Sequence, residues 1–196
     1  MIEPVRVVPA NEATWEDLQA VLGTRGPGRC QCQRYKLGRG ESFGSFPVEE
    51  RADRLRRQAD PGHPGGPTSG LVGYLGADPV GWCAVEPRSA YDGLRRVFRV
   101  PWEGRDENRA DASVWAVTCV VTRAGFRRHG VSRAMVAATV GHARDRGARA
   151  IEGYPITTTD VIAEELHLGT VAAFEAAGFA VVSRPTPRRV VLRIDF

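Results

Sequence analysis

The chain has 196 residues, 42% of them hydrophobic and 26% charged, with a formal net charge of +4. That length fills one core and is short for two independent domains, and the longest apolar run, Val114 to Val121 with one Thr, is far too short to span a bilayer. The basic residues, all Arg except Lys36, are interleaved with acids as on solvated faces, so neither a membrane nor a nucleic acid is indicated as a partner.

The first residues, Met1 to Arg6, lack a basic stretch followed by an apolar core, which predicts a cytoplasmic protein with no signal peptide. Val5 to Val8 reads as a strand. Asn11 or Thr14 can cap a helix whose Trp15, Leu18, Val21 and Leu22 share one face and which Gly23 ends. From Gly23 to Phe46 the chain is polar and Gly-rich, a surface loop that carries Cys30, Cys32, Arg34 and Tyr35. The spacing of Cys30 and Cys32 fits neither a zinc site nor an unstrained bridge, so reduced thiols and no metal are expected. Pro47 suits the first turn of a second helix with Val48, Ala52 and Leu55 buried, broken by the Pro/Gly run from Asp60 to Pro67. Leu71 to Leu75 and Val80 to Val85 make a hairpin, and 86–111 is irregular, with Tyr91, Phe98 and Trp102 as anchors.

Val114 to Val121 is apolar nearly throughout, as a strand buried on both faces should be. After it, Phe126 to Ser132 is a short basic turn with Gly130 inside it, and Val131 to Arg146 is a helix that is apolar over most of its circumference. A strand, a tight turn and a helix start bring unpaired N–H groups together, which makes an anion site. Ala148 to Pro155 is the fifth strand, Thr170 to Ala177 a short helix, and Phe179 to Val182 and Arg189 to Ile194 the last two strands around a turn at Pro185 and Pro187.

Arg127-x-x-Gly130-x-Ser132 resembles the phosphate-loop signature of the GCN5-related N-acetyltransferases, and Thr170 to Phe179 is similar to that family's second signature. The two cover roughly Ser113 to Phe196. The resemblance implies an α/β fold of three layers, with a mixed, mostly antiparallel sheet splayed between strands 4 and 5. One domain would span residues 1–196, with acceptor-side loops in 1–112 and the cofactor half in 113–196. It implies acetyl-coenzyme A, or another acyl-coenzyme A, as cosubstrate, and an amine of a small molecule or peptide as acceptor. A homodimer is left open. Val120, Val121 and Thr122 would hold the thioester arm, and Arg127, Arg128, His129, Gly130, Val131, Ser132 and Arg133 the pyrophosphate, with Thr170 and Phe174 beside them. The segment from Gly23 to Phe46 would wall the acceptor site.

Two positions leave alternatives open. Many members carry a Tyr that protonates the leaving thiolate where this chain has Phe174, which has no proton to give. Either another group or water serves as the acid, with Tyr154 the likeliest nearby hydroxyl, or the protein binds acyl-coenzyme A without efficient transfer. Ile151-Glu152-Gly153 is similar to a family segment whose Glu removes the amine's proton, and a structural ion pair with one of the many arginines is the rival reading of Glu152.

Overall fold

The computed structural model describes residues 4–23, 26–158, 160–161 and 163–196. Met1 to Glu3, Thr24 and Arg25 of the first loop, and Thr159 and Ile162 of the connection before the last helix lie outside the described residues.

The strands are β1 (Arg6–Pro9), β2 (Gly70–Leu75), β3 (Asp78–Pro87), β4 (Val114–Thr122), β5 (Ala150–Gly153), β6 (Ala180–Thr186) and β7 (Arg189–Asp195). The helices are α1 (Trp15–Leu22), α2 (Val48–Ala59), α3 (Asp92–Arg96), α4 (Val131–Arg144) and α5 (Val171–Ala176). All the strands join one open sheet in the order β1-β2-β3-β4-β5-β7-β6. Every neighbouring pair is antiparallel except β4 with β5, which is parallel because α4 carries the chain across between them. Helices α4 and α5 cover one face through Met135, Val136, Ala173 and Phe174. Helices α1 and α2 cover the other with Leu18, Leu22 and Leu55 packed on Val72, Trp82 and Cys119.

Local chemistry accounts for the element ends. Thr14 caps α1 in a reciprocal box with Asp17, which satisfies two otherwise orphaned N–H groups. Pro47 stands at the N-cap of α2, one place before the first turn, in extended backbone that its ring favours. The segment expected to be irregular contains α3, five residues around Gly93, too short to show a periodicity in the sequence. Its aromatic anchors hold: Tyr91 and Trp102 are buried, and Phe98 packs on the same cluster with Tyr35, Ala116 and Tyr154. Strand β6 runs to Thr186 and contains Pro185. An edge strand tolerates that residue because its outward N–H has no partner to lose.

The strand β4 is interrupted at one residue. Its register with β3 pairs Ala84 with Cys119 and Val85 with Val117, so Thr118 is the extra residue of a β-bulge. The pairing of β4 with β5 ends at the same level, Val117 opposite Gly153, although β4 continues to Thr122. Strand β5 is therefore four residues long where the sequence suggested a strand through Pro155. Beyond Gly153 its neighbour has turned away, and the space is taken by Phe174, which is fully buried and stacks edge-on against Phe179 at 5.0 Å.

Gly153 has no room for a side chain: a Cβ there would lie 2.0 Å from Cε1 of Phe174. Gly153→Ala is expected to destabilise the fold by about 1–3 kcal/mol in urea denaturation. Adding Phe174→Leu should return part of that loss, so the double variant falls short of the sum of the two single effects.

Candidate functional site

The basic turn is built to hold its shape. Gly125, Arg128 and Gly130 all have positive φ, at 92°, 67° and 77°, and Arg128 is a residue type that rarely adopts it. Gly130 is the N-cap of α4 and supplies no side-chain cap, so the first N–H groups of a fourteen-residue helix point out of the turn unclaimed by a capping side chain. Val131 is buried beneath the turn, while Arg127, Arg128 and Arg133 are exposed around it.

A cleft of about 890 Å³ opens here. Its floor is Val120, Val121 and Thr122, the stretch of β4 that β5 does not pair. One wall is the turn and first residues of α4, with Arg123, Arg127, Arg128 and Arg133 among its lining residues. The opposite wall is Leu166, His167, Gly169, Thr170 and Ala173, and the C-terminal end of α1 closes one side. Of the residues expected to hold a cofactor, Val120, Val121, Thr122, Arg127, Arg128, Gly130, Val131, Ser132, Arg133 and Thr170 line this single cleft. His129 is exposed and does not line it. Phe174 lies under it, in the core, while its neighbour Ala173 faces the cleft. Sequence reasoning missed Arg123, Gly169 and the end of α1. Arg123 directly follows β4, and its place before the turn was the available signal.

His167 also belongs to a smaller crevice, lined by Cys30, Cys32, Arg34, Tyr35, Thr118 and Cys119. The cleft and the crevice thus share His167. The Tyr35 hydroxyl lies 3.4 Å from Nε2 of His167. Trp82 Nε1 donates to Cys32 Sγ at 2.9 Å. All four cysteines are free. A hydrogen bond with Cys32 and burial push the Cys30 thiol up, and a hydrogen bond with Cys119 does most to raise that of Cys32. Such thiols stay protonated at neutral pH, which suits packing and polar contact better than nucleophilic attack. Among the described residues no group of three or more His, Cys, Asp and Glu side chains could hold a metal ion, and no helix is long and apolar enough to cross a membrane.

Glu152 and Tyr154 lie elsewhere. Glu152 is fully buried on β5, where its register partner on β7 is Arg193. Its carboxylate accepts from Arg193 Nη1 at 2.7 Å, from Arg88 Nη1 at 3.2 Å, from the Tyr154 hydroxyl at 3.0 Å and from both terminal nitrogens of Arg105. Glu107 accepts from the same three arginines. Burial pushes the Glu152 carboxyl up, but the hydrogen bond and charge of Arg105, with Arg88 and Arg193, outweigh it and hold the group below the usual carboxylate range. Neither Glu152 nor Tyr154 lines the cleft or the crevice. The Tyr154 hydroxyl is spent on Glu152, and burial followed by that carboxylate's charge pushes its own ionisation well up. This cluster ties the segment 88–107 to the middle of the sheet, and the ion-pair reading of Glu152 is the one its surroundings support.

The parted β4 and β5 and the order of elements are those of a fold also found in solved N-acetyltransferases. Solved structures similar to this chain include a GCN5-related N-acetyltransferase from Kribbella flavida, 17% identical with a TM-score of 0.55 and 98% of each chain covered. The ribosomal-protein-alanine N-acetyltransferase from Brucella melitensis is 16% identical, with a TM-score of 0.54 over 98% of this chain and 99% of that one. An N-acetyltransferase from Staphylococcus aureus Mu50 is 10% identical, with a TM-score of 0.54 and 98% of each chain covered. No protein-family model matches the sequence, and no curated protein matches it significantly.

Glu152→Gln should cost about 3–5 kcal/mol, because it leaves three buried guanidinium groups facing a neutral amide. The sign of the pH effect follows from the depressed carboxyl. Its contribution is complete above the unfolded value of 4.5 and is lost as pH falls through the lower folded value. Melting curves from pH 7 down to pH 3 should therefore show a steep loss of stability below about pH 4.5 in the parent and a shallower one in Glu152→Gln.

Proposed function

We propose that the protein is an acyl-coenzyme A dependent N-acyltransferase, moving acetyl from acetyl-coenzyme A to an amine of a small molecule or a peptide. The observation that carries this reading is the convergence, in one cleft, of an uncapped helix start, four arginines and a strand edge left unpaired by the bulge. A long ligand with phosphates at one end and an amide-rich arm at the other complements that arrangement. N–H groups from Arg128 to Ser132 would bind the pyrophosphate, each charge-assisted bond contributing on the order of 1.5–3 kcal/mol. The helix start adds up to ~2 kcal/mol. Along β4 the groups of Val120 to Thr122 would pair with the arm as a further strand does, which brings the thioester to the bulge at Thr118, where the crevice begins. The similarity to acetyltransferases, among them one named for the alanine of a ribosomal protein, supports an amine as acceptor.

The rival reading is a sensor that holds acyl-coenzyme A without transfer, and it draws on Phe174, which offers no hydroxyl to the leaving thiolate. Thiol release from acetyl-coenzyme A separates the two, with small primary amines and a peptide beginning with alanine as acceptors. Release that depends on the acceptor supports transfer, and tight binding with no release supports the sensor.

Gly130→Asp tests the loop. It forces a side chain into backbone at φ 77° and sets a negative charge beside the phosphates. Titration calorimetry with coenzyme A on the folded variant should show affinity lower by at least about tenfold, the equivalent of one lost charge-assisted bond. Equal affinities would move the phosphate site elsewhere.

A further inference from the structure

Transfer to an amine releases coenzyme A as a thiolate. A thiol ionises near about pH 8.5, so a proton delivered as the carbon–sulfur bond breaks speeds the departure. Phe174 has no such proton and lies in the core beneath the cleft. Glu152 and Tyr154 are bonded to each other outside it, and Glu86, the ion-pair partner of Lys36, does not line it either. Among the described residues that line the cleft, the side chains that carry an ionisable proton are the arginines, which do not release it, and His167. Imidazole is the side chain whose ordinary titration falls between about pH 5 and 8.

His167 also stands at the appropriate end of the cleft. It belongs to the last turn of the 3-10 helix Ala163–Leu168. Leu168 is buried in the cluster of Tyr35, Ala116 and Tyr154. Gly169 lies so close to β4 that a Cβ there would be 3.3 Å from Cγ2 of Val120. The segment is thereby pinned to β4 at Val120, the end of the floor away from the basic turn. His167 shares the crevice with Thr118 and Cys119, the residues of β4 just before Val120. A cofactor with its phosphates at the turn and its arm along Thr122 to Val120 would bring its far end, the thioester, to this imidazole. The ring has a fixed support on the crevice side. Its Nε2 is 3.4 Å from the Tyr35 hydroxyl, and the two rings are 6.1 Å apart. Tyr35 is itself buried, with its ring 4.6 Å from that of Phe98 and its carbonyl accepting from the Leu94 N–H at 3.2 Å.

We propose that His167 is the acid that protonates the departing coenzyme A thiolate, with Tyr35 as the positioning residue behind it. This rests on the transferase reading above. The nitrogen of the free amine bonds to the thioester carbon, the carbon–sulfur bond breaks with its electron pair left on sulfur, and the imidazolium proton joins that sulfur. The surplus proton on nitrogen leaves to water, from which the imidazole is recharged. The net change is an amine and a thioester becoming an amide and a thiol.

The groups around the ring leave its charge as the one that changes near neutral pH. On the crevice side stand Arg34, Tyr35 and the thiols of Cys30, Cys32 and Cys119, with Arg189 near Tyr35. Burial pushes the Tyr35 hydroxyl well up, and the three thiols are raised as well, so all four are neutral at pH 7. The arginines of crevice and cleft keep their charge throughout. On its own helix, Glu165 pairs with Arg188 at 3.6 Å.

The test uses His167→Gln, His167→Ala and Tyr35→Phe, with acceptor-dependent thiol release at saturating acetyl-coenzyme A and saturating amine across pH 6–10. Coenzyme A affinity is measured by calorimetry on each folded variant. The parent's kcat should fall on the alkaline side with the loss of one proton, because the acid form is the active one. His167→Gln should lower kcat at pH 7 by about a hundredfold or more, lack the alkaline fall and keep the cofactor affinity. His167→Ala should regain rate as imidazole is added, after subtraction of the rate without protein, since the cleft of about 890 Å³ has room for it. Tyr35→Phe keeps the acid but loosens its support, so it should lower kcat by less and retain the alkaline fall. A parent-like kcat in His167→Gln, an alkaline fall that survives there, or no response of His167→Ala to imidazole would overturn the assignment while leaving transfer intact. Parent-like rates in Tyr35→Phe would remove Tyr35 from it. A parent that binds coenzyme A but releases thiol with no amine overturns the assignment together with the transferase reading.

Discussion

One extra residue in the middle of the sheet sets the geometry of everything around it. With Thr118 unmatched, β4 keeps its bonds to β3 but leaves β5 after Val117, and the sheet opens at its centre while staying closed on its other side. A parted pair of central strands exposes backbone polar groups in a place where most proteins pair them. The chain manages the opening in two ways. Below, Phe174 wedges against Gly153 and excludes water from the core. Above, the peptide edge of Val120 to Thr122 faces the cleft, and the helix start of α4 stands at its far end. The cleft, the crevice and the shortness of β5 are consequences of one shift in register.

The two buried glutamates show how environment sets the ionisation of identical side chains. Glu152 sits among Arg88, Arg105 and Arg193, with Glu107 sharing them, and its ionisation is fixed by the fold. Removing one partner of such a cluster costs more than forming it gains, so its value lies in holding the segment 88–107 against β5 and β7 in one arrangement. Glu86 has a single lysine and an unsettled tyrosine hydroxyl. Both carboxylates are out of bulk water, but burial raises the second, while the arginines hold the first below its usual range.

The cleft was largely legible in the sequence because its parts are local. An apolar strand, a Gly-containing basic turn and a helix start are contiguous, so Val120 to Arg133 could be placed together without knowing the rest of the chain. The bulge was not legible: Val114 to Val121 reads as one continuous strand, and a Thr in such a run gives no sign of being skipped. The true length of β5 followed from the bulge and was hidden with it. Glu86 was read as part of an irregular segment because 86–111 is mixed and basic in composition, whereas β3 carries it to the sheet and the turn at Arg88 follows. Glu152 illustrates the reverse case. Its strand position was clear from the sequence, but the three arginines around it come from widely separated points of the chain and could only be found in the folded protein.

The burial of Lys36 has a consequence for the surface as well. It is the chain's one side-chain primary amine, and its nitrogen is paired with Glu86 under a covering that leaves the side chain 7% exposed. Every other basic side chain apart from the histidines is a guanidinium, which does not lose its proton under physiological conditions and is a poor nucleophile. The folded surface therefore offers activated acyl groups no lysine on which to settle, and a protein that handled such groups all its life would keep its own charge pattern unmodified.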